Sequence, residues 1–538
     1  MKRRRFLISG LASAATILPW QSTRAGLKGK SARELYPMGF KADAVHRQLV
    51  KVSHGISDGR FRANWDSLKQ FRVPEWFRNA KFGIFIHWGV YSVPAFGSEW
   101  YSRNMYDPSN DAFTYHRNVY GPQSKFGYKD FIPKFTAEKF DATRWIATFQ
   151  RAGARYVVPV GEHCDGFPMY DSAMSDWTVA KMGPKRDTAA EIAKAARAAG
   201  MHFGISSHRA EHWWWYGVGR SYDSDVKDPR YAGLYGPAAP RALPADPKGS
   251  VPDPDHLENW YPPYQAFLDD WLARTTEMVD KYQPELIYLD WWTAAPAFEP
   301  EMQSLAAYYY NAADKGGWQA AVTYKGEQFQ QGTALFDIER GKLDALRLEP
   351  WQTDTSVSIH SWGYAQDDSY RTPKSLVQDL VDVVAKNGNL LLNVGPRADG
   401  TIPQEAEQVL LGIGDWLKIN GEAIYDSRPW LYFGEGPTTA AHGSLKEDPN
   451  KRWSAEDFRF TTRDDVLYAM GQERPADGIA LIKTLYAGTP YLERAIASIE
   501  LVGGGPITWE QTPTGLALTL PEGAGATMPY VARIRFKS

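Results

Sequence analysis

Eight short runs of apolar residues recur along the chain between about residues 80 and 400, separated by polar or glycine-rich positions. Short runs that are rich in β-branched and aromatic residues are typical of buried strands. The runs cover 81–89, 154–163, 202–208, 285–291, 321–326, 335–340, 350–357 and 389–396. Apolar residues with helical spacing lie between several of them, at 189–199, 264–281, 375–385 and 405–418. This alternation predicts an α/β fold, a (β/α)8-like barrel of the TIM type.

The pattern changes after Trp430. Five later segments alternate apolar and polar residues, with Gly and Pro between them, which predicts antiparallel strands with one buried face. We therefore expect a barrel over 26–430 and a C-terminal antiparallel β-sandwich over 431–538. Residues 217–262 are rich in Gly, Pro, Asp and Tyr, and we expect a long loop there, over or beside the mouth of the barrel.

The first 25 residues have the order of an export signal. Arginines at positions 3–5 precede an apolar run to about Leu18, and small residues follow near Ala25. The apolar run is too short to span a bilayer. The one cysteine, Cys164, can form no internal disulfide. We predict a twin-arginine signal peptide over 1–25 and a periplasmic or secreted protein without membrane insertion when mature; a chance basic start is the alternative.

Composition narrows the range of partners. A net charge of -2 and a pI near 6.6 give no basic field that would attract nucleic acid. The 538 residues include 21 Trp, 29 Tyr and 24 Phe. Flat rings suit sugars, whose C–H faces pack on them while the hydroxyl groups hydrogen-bond at the edge. The composition favours a carbohydrate ligand and leaves the oligomeric state open.

Polar residues stand at the ends of the predicted strands. In (β/α)8 barrels, function lies at the carboxyl ends of the strands, so we expect these side chains to share one site. They are His87, His163, His208, Asp290, Lys325, Glu339, Asp354 and Asn393.

Two of these residues offer the carboxyl pair that glycoside cleavage usually needs, one ionised and one protonated. Asp290 ends the segment ELIYLD, and Glu339 ends an apolar run before a turn. Asp290 could instead cap a helix, and Glu339 could pair with a nearby arginine. Glu349 is the rival to Glu339, but it lies before a proline in a place more typical of a loop.

Other catalytic patterns do not fit this chain. Three histidines at successive strand ends are explained as neutral hydrogen-bonding groups, and no HExxH or structural zinc spacing is present. Cys164 lies between acidic neighbours, Glu162 and Asp165, which would raise a thiol pKa rather than activate it. No GxSxG elbow, Walker A loop or dinucleotide GxGxxG follows a strand. The sequence therefore predicts neither a metal nor another cofactor.

Five segments carry longer motifs: WFRNAKFGIFIHWGVYSVPAFGSEWY (76–101), KFTAEKFDATRW (134–145), EHCDGFPMYDS (162–172), SWGY (361–364) and NGNLLLNVGPRADGTIP (387–403). Together they resemble the retaining α-L-fucosidases of glycoside hydrolase family 29, over about residues 70–430. The resemblance implies a (β/α)8-like barrel followed by a C-terminal β-sandwich. It also implies an exo-acting retaining hydrolase of terminal α-L-fucosyl residues, with a fucosylated oligo- or polysaccharide as substrate.

The resemblance also implies roles for individual residues. Asp290 matches the nucleophile and Glu339 the general acid/base. Residues that match positions holding the fucose hydroxyl groups are His87, Glu99, Trp100 and His163. Residues that match apolar positions facing the C5 methyl group of the sugar are Phe85 and Trp362.

Four positions depart from the family pattern, and all of them fall in the sugar pocket. Cys164 stands where a second histidine is frequent, and His208 where tyrosine is frequent. Tyr288 stands in place of tryptophan, and Lys325 in place of arginine. These departures leave open a related exo-glycosidase acting on α-L-galactose or a modified fucose, and a non-catalytic fucose-binding protein.

Overall fold

The computed structural model describes residues 39, 41–242, 259–440, 442–448 and 450–537. The signal peptide predicted over 1–25 lies outside the described residues. In the part of the chain that is described, no helix combines the length and apolar character needed to cross a membrane.

Eight parallel strands close into a barrel in sequence order, and the eighth strand pairs with the first. The strands are β1 (Phe82–Ile86), β2 (Tyr156–Glu162), β3 (His202–Ser207), β4 (Leu286–Leu289), β5 (Ala321–Lys325), β6 (Leu335–Glu339), β7 (Trp351–Ser356) and β8 (Gly388–Val394). All eight apolar runs of the sequence form these strands, so the predicted barrel is confirmed. Because helices cover the outside of the barrel, the strands are buried on both faces and show no apolar–polar alternation.

The described helices surround the barrel or lie in its connections. They are α1 (Ala42–Asp58), α2 (Trp65–Leu68), α3 (Glu75–Ala80), α4 (Tyr101–Asn104), α5 (Asp111–Val119), α6 (Ala142–Arg151), α7 (Thr188–Ala198), α8 (Ala232–Tyr235), α9 (Gln265–Tyr282), α10 (Glu299–Gly316), α11 (Pro373–Ala385) and α12 (Gln404–Asn420). The four helices expected from apolar spacing are α7, α9, α11 and α12. Local signals set their starts: before α11, the Thr372 side chain accepts a hydrogen bond from the amide of Ser375, and Pro373 takes the first helical position.

Side chains fill the interior of the barrel. The Tyr156 ring occupies the space beside Gly83, where an added Cβ would lie 2.4 Å from that ring. The Tyr156 hydroxyl group donates to Gln352 Oε1 at 3.0 Å, and Gln352 Nε2 donates to Asp337 Oδ1 at 2.8 Å. The barrel is therefore a packed core with a polar layer below its carboxyl-terminal mouth.

The segment 217–262 differs from its prediction, because its described part contains short helical elements. Three 3-10 turns, Gly217–Ser221, Asp225–Lys227 and Pro229–Tyr231, precede α8. Buried hydrogen bonds hold them, since Asp225 accepts from the hydroxyl groups of Tyr106 and Tyr235. The expectation of a loop without regular elements is wrong for this part.

Two antiparallel sheets follow the barrel. Their strands are β9 (Arg428–Glu435), β10 (Phe458–Arg463), β11 (Val466–Gly471), β12 (Ile479–Ile482), β13 (Ile496–Leu501), β14 (Gly505–Pro506), β15 (Trp509–Thr512), β16 (Gly515–Thr519) and β17 (Tyr530–Phe536). One sheet has the order β14-β13-β17-β11-β10-β9 and the other β12-β16-β15. Apolar side chains of both sheets form a core separate from that of the barrel. Arg459 on β10 binds Asp382 on α11 at 2.6 Å, which ties the sheets to the barrel.

Candidate active site

One cavity at the carboxyl-terminal end of the barrel collects most of the strand-end residues. It encloses about 390 Å³ including its open mouth. Its lining residues are His87, Glu99, Trp100, His163, Cys164, His208, Glu211, Tyr288, Asp290, Trp291, Glu339, Asp354 and Trp362. The structure therefore brings together candidate residues contributed by six of the eight strand ends and by two loops.

Asp290 lies directly after β4, and its side chain is hydrogen-bonded to a histidine rather than placed as a helix cap. Its Oδ2 is 2.9 Å from His208 Nδ1, and the other ring nitrogen of His208 is 3.0 Å from Ser206 Oγ. Burial would raise the pKa of Asp290, but His208 and Lys325 together lower it below its usual range. Asp290 is thus held as a carboxylate at the floor of the cavity.

Glu339 is the last residue of β6 and faces the same cavity. Its carboxylate pairs with Lys325, whose Nζ lies 3.1 Å from Oε2, and it accepts a hydrogen bond from Trp291 Nε1. The arginines considered as partners bind elsewhere: Arg340 lies near Glu447 and Arg347 near Glu349. The only cation that pairs with Glu339 among the described residues is therefore Lys325.

Lys325 is fully buried below the cavity and meets two more carboxylates. Its Nζ lies 3.2 Å from Asp337 and 3.4 Å from Asp354. Although burial lowers the pKa of Lys325, the carboxylates of Asp354, Glu339 and Asp337 raise it well above its usual value. The Tyr288 hydroxyl group donates to Asp354 at 2.8 Å. One ammonium group thus serves three acidic side chains.

Two further histidines, His87 and His163, line the cavity in their neutral form. Burial, aided by the charge of His208, lowers the pKa of both His87 and His163 well below the usual value. His87 Nδ1 lies 2.7 Å from Asn393 Oδ1, so this nitrogen carries the hydrogen and Nε2 is left as an acceptor.

The histidine cluster suits hydrogen bonding better than metal binding. Ligand atoms of His87, His163 and His208 lie within 4.8 Å of one another, as do those of Cys164, His208 and Asp290. Both sets need His208, whose two ring nitrogens already bond Asp290 and Ser206. A metal ion would have to displace one of these bonds.

Glu99 fixes a distant segment that supplies an aromatic wall. Its Oε2 accepts hydrogen bonds from the amides of Trp362 and Gly363 at 2.8 and 3.2 Å, and from Ser361 Oγ at 3.1 Å. These hydrogen bonds hold the backbone at Trp362, and the Trp362 ring lies in the cavity lining. Burial raises the pKa of Glu99, although these hydrogen bonds oppose that rise.

Four other sequence candidates lie outside the cavity lining: Phe85, Lys325, Asn393 and Glu349. Phe85 is fully buried one layer below, with its ring centroid 4.7 Å from that of Tyr288. Lys325 is also below the surface of the cavity. Glu349, the rival acid, is 54% exposed and lines a separate, larger cavity together with Trp65 and Phe329.

Backbone strain marks the residues that follow the two carboxyl groups. Trp292 has a φ of 74° and Arg340 a φ of 40°, both in the left-handed region that side chains of this size rarely adopt. Such strain concentrates at functional sites, where the surrounding structure holds it in place.

Sequence reasoning did not single out two residues of the cavity, Glu211 and Trp291. Glu211 belongs to the 3-10 helix Arg209–Trp213 and lies three residues after His208. Side chains three residues apart on a 3-10 helix point the same way, and this spacing could have identified Glu211. Trp291 follows Asp290 directly, and its indole N–H bonds Glu339.

A (β/α)8 barrel whose mouth combines two carboxyl groups, hydrogen-bonding side chains and aromatic walls defines a glycoside hydrolase. The family model described as Alpha-L-fucosidase matches residues 48–422, which is more than half of the chain. The protein belongs to the alpha-L-fucosidase family, as the resemblance in its sequence predicts.

Individual relatives support the same assignment. Rat tissue alpha-L-fucosidase is 30% identical over 486 residues, covering 88% of this chain and 92% of that protein. Human plasma alpha-L-fucosidase is 30% identical over 477 residues, covering 86% and 89%. The crystal structure of Thermotoga maritima alpha-fucosidase in complex with fucose superposes with a TM-score of 0.68 at 27% identity, covering 88% of this chain and 100% of that one.

Proposed function

We propose that this protein is an exo-acting, retaining α-L-fucosidase that removes terminal α-L-fucosyl residues from fucosylated oligo- or polysaccharides. The observation that carries the proposal is the pairing of Asp290 and Glu339 in one cavity at the carboxyl-terminal mouth of the barrel. Membership of the alpha-L-fucosidase family supports the choice of sugar. The sequence of the first 25 residues supports export to the periplasm or the medium.

In the first step, Asp290 is the nucleophile. A carboxylate oxygen of Asp290 forms a bond to the anomeric carbon while the bond to the leaving oxygen breaks. The His208 hydrogen bond and the Lys325 charge favour this ionised form. Glu339, in its protonated form, gives its proton to the leaving oxygen.

In the second step, water attacks the glycosyl-enzyme ester and Glu339 takes a proton from that water. Asp290 leaves as a carboxylate, so two inversions restore the original configuration. A two-step mechanism of this kind needs the carboxyl groups about 5–5.5 Å apart.

The surrounding residues would bind and orient the sugar. His87, His163 and Glu99 offer acceptors and donors to its hydroxyl groups. The Trp362 ring, with Phe85 one layer below, offers an apolar surface to the C5 methyl group. A pocket that packs a methyl group rejects a hydroxymethyl group by leaving its hydroxyl without a partner.

Initial-rate hydrolysis of 4-nitrophenyl α-L-fucoside and α-L-galactoside, followed by proton NMR, tests the proposal. We expect faster release from the fucoside and α-L-fucose as the first product. A preference for the galactoside would show that α-L-galactose, and not α-L-fucose, is the sugar that the protein removes. β-L-fucose as the first product would contradict retention of configuration. Sugar binding without release from any linkage would favour a non-catalytic binding protein.

A further inference from the structure

Glu211 is an acidic residue in the wall of the cavity for which the two-step mechanism has no use. It is 3% exposed and lies beside Cys164, whose Sγ is 3.6 Å from Glu211 Oε2. In the described part of the chain, this thiol is the only hydrogen-bond partner of the Glu211 side chain. A thiol is a weak donor, so the carboxyl group keeps most of its hydrogen-bonding capacity.

The charge of the site favours a neutral Glu211. Four other carboxyl groups line the same small space, those of Glu99, Asp290, Glu339 and Asp354. Lys325 is already shared among Asp337, Glu339 and Asp354. Burial, followed by the charges of Asp290 and Glu339, raises the pKa of Glu211 well above its usual range, although the Cys164 hydrogen bond and the charge of Arg241 oppose this rise. A neutral carboxyl group can donate one hydrogen bond and accept others, whereas a carboxylate can only accept.

Other residues hold the segment in place, so Glu211 is not required as a structural anchor. Arg209 forms buried ion pairs with Glu162 and Asp270. His212 Nδ1 lies 2.9 Å from the carbonyl oxygen of Cys164. These contacts fix both ends of the turn that presents Glu211, and they leave its carboxyl group directed at the cavity.

We propose that Glu211, as a neutral carboxyl group backed by the Cys164 thiol, is a specificity-determining residue that binds one ring hydroxyl group of the sugar. This inference rests on the proposed glycosidase function and deepens it. Removing the matching hydroxyl group from the substrate leaves a buried carboxyl group without its partner, and such a loss discriminates strongly between sugars. The Cys164 thiol, which follows β2, thus contacts a donor in the 3-10 helix that follows β3.

A cycle of substrate and enzyme changes tests the inference. The enzymes are the wild type, Glu211→Gln and Glu211→Leu, and the substrates are 4-nitrophenyl α-L-fucoside and its 2-, 3- and 4-deoxy analogues. With the wild type, we expect kcat/KM for one deoxy analogue to be about 30-fold lower than for the fucoside. With Glu211→Leu, the same ratio should be less than about 3-fold, once any loss common to all four substrates is removed. Glu211→Gln, which keeps a neutral donor and acceptor, should retain most of the wild-type discrimination.

Glu301→Leu is a matched control, because Glu301 is also a buried glutamate but lies on α10 outside the cavity lining. It should leave the discrimination among the four substrates intact. A uniform loss on all four substrates in both Glu211 variants would overturn the inference in favour of a structural role. Rescue of Glu211→Leu by azide would overturn it in favour of Glu211 as the proton donor. A wild type that releases no fucose contradicts the proposed function itself, whereas an active wild type without coupling at Glu211 contradicts only this inference.

Discussion

The ammonium group of Lys325 lies 3.1 Å from Glu339 Oε2, and this contact joins the catalytic mouth to the interior of the barrel. The same ammonium group lies 3.2 Å from Asp337, in the polar layer below the cavity, and 3.4 Å from Asp354, which lines the cavity. The proposed acid/base is therefore part of a buried network of ion pairs inside the barrel.

Lys325→Met should destabilise the protein strongly, because it leaves three carboxyl groups near one another without a buried cation. We expect a loss of about 3–5 kcal/mol, the usual cost of breaking a buried pair. Thermal unfolding followed by near-ultraviolet circular dichroism measures the effect. Lys51→Met is the control: it removes an exposed pair with Asp280, which contributes about 0–1 kcal/mol. Equal melting temperatures of the two variants would contradict the assigned network.

Asp290→Asn should lower kcat on 4-nitrophenyl α-L-fucoside at least about 10³-fold, because an amide cannot attack the anomeric carbon. Stopped assays at high enzyme concentration measure the residual rate. Asp415→Asn, an exposed change on α12, should behave as the wild type. Residual activity above a tenth of the wild-type rate would show that the nucleophile lies elsewhere.

Glu339→Ala should lose most of its activity on 4-nitrophenyl α-L-fucoside, and external azide should restore it. Azide needs no general base, so it can attack the glycosyl-enzyme when Glu339 is absent. Detection of fucosyl azide with retained configuration measures the rescue. The parallel variant Glu349→Ala should stay active, because Glu349 lines a different cavity. Azide rescue of Glu349→Ala instead would reverse the assignment.

His208→Asn should move the acidic limb of the kcat/KM profile to higher pH. The wild-type histidine lowers the pKa of Asp290, so its removal raises that pKa and the proposed nucleophile is protonated at a higher pH. Initial rates between pH 3 and pH 8 measure the limb, after preincubation that shows the enzyme to be stable at each pH. An unchanged limb would mean that His208 does not hold the charge of Asp290.

The raised pKa of Asp165 predicts that the free energy of unfolding falls as the pH rises. Burial raises the pKa of Asp165 to about 7, although the hydrogen bond from Tyr128, of 2.6 Å, opposes the rise. The folded protein therefore keeps a proton that the unfolded chain releases near pH 4. The contribution of Asp165 to the free energy of unfolding is complete below about pH 4. It is lost as the pH rises through about 7, and the loss amounts to roughly 4 kcal/mol. Asp165→Asn should therefore gain stability relative to the wild type between pH 5 and pH 8. Melting temperatures of both proteins across this range measure it, and a constant difference would contradict the raised pKa.

The barrel could be predicted because its signals are local. Each buried strand is a short apolar run, and the rule that function lies at strand ends led directly to Asp290, Glu339 and the histidines. The residues that sequence reasoning missed depend on geometry that is not written locally. Glu211 enters the cavity through one 3-10 turn. Glu99 and Trp362 were candidates only through the resemblance, because the hydrogen bond between them joins residues far apart in the chain. The turns within 217–262 are too short to produce a periodic pattern, and buried side-chain hydrogen bonds, such as that between Tyr106 and Asp225, hold them.

The thiol of Cys164, the one cysteine of the sequence, lies inside the proposed sugar pocket and is a single site for covalent labelling there. Burial and the neighbouring carboxyl groups raise the pKa of that thiol, so ordinary alkylating reagents meet an unreactive group. A fucose derivative that carries an electrophile at the ring position nearest Cys164 would bring the electrophile next to the Cys164 Sγ. Such a derivative would label the enzyme at one known residue.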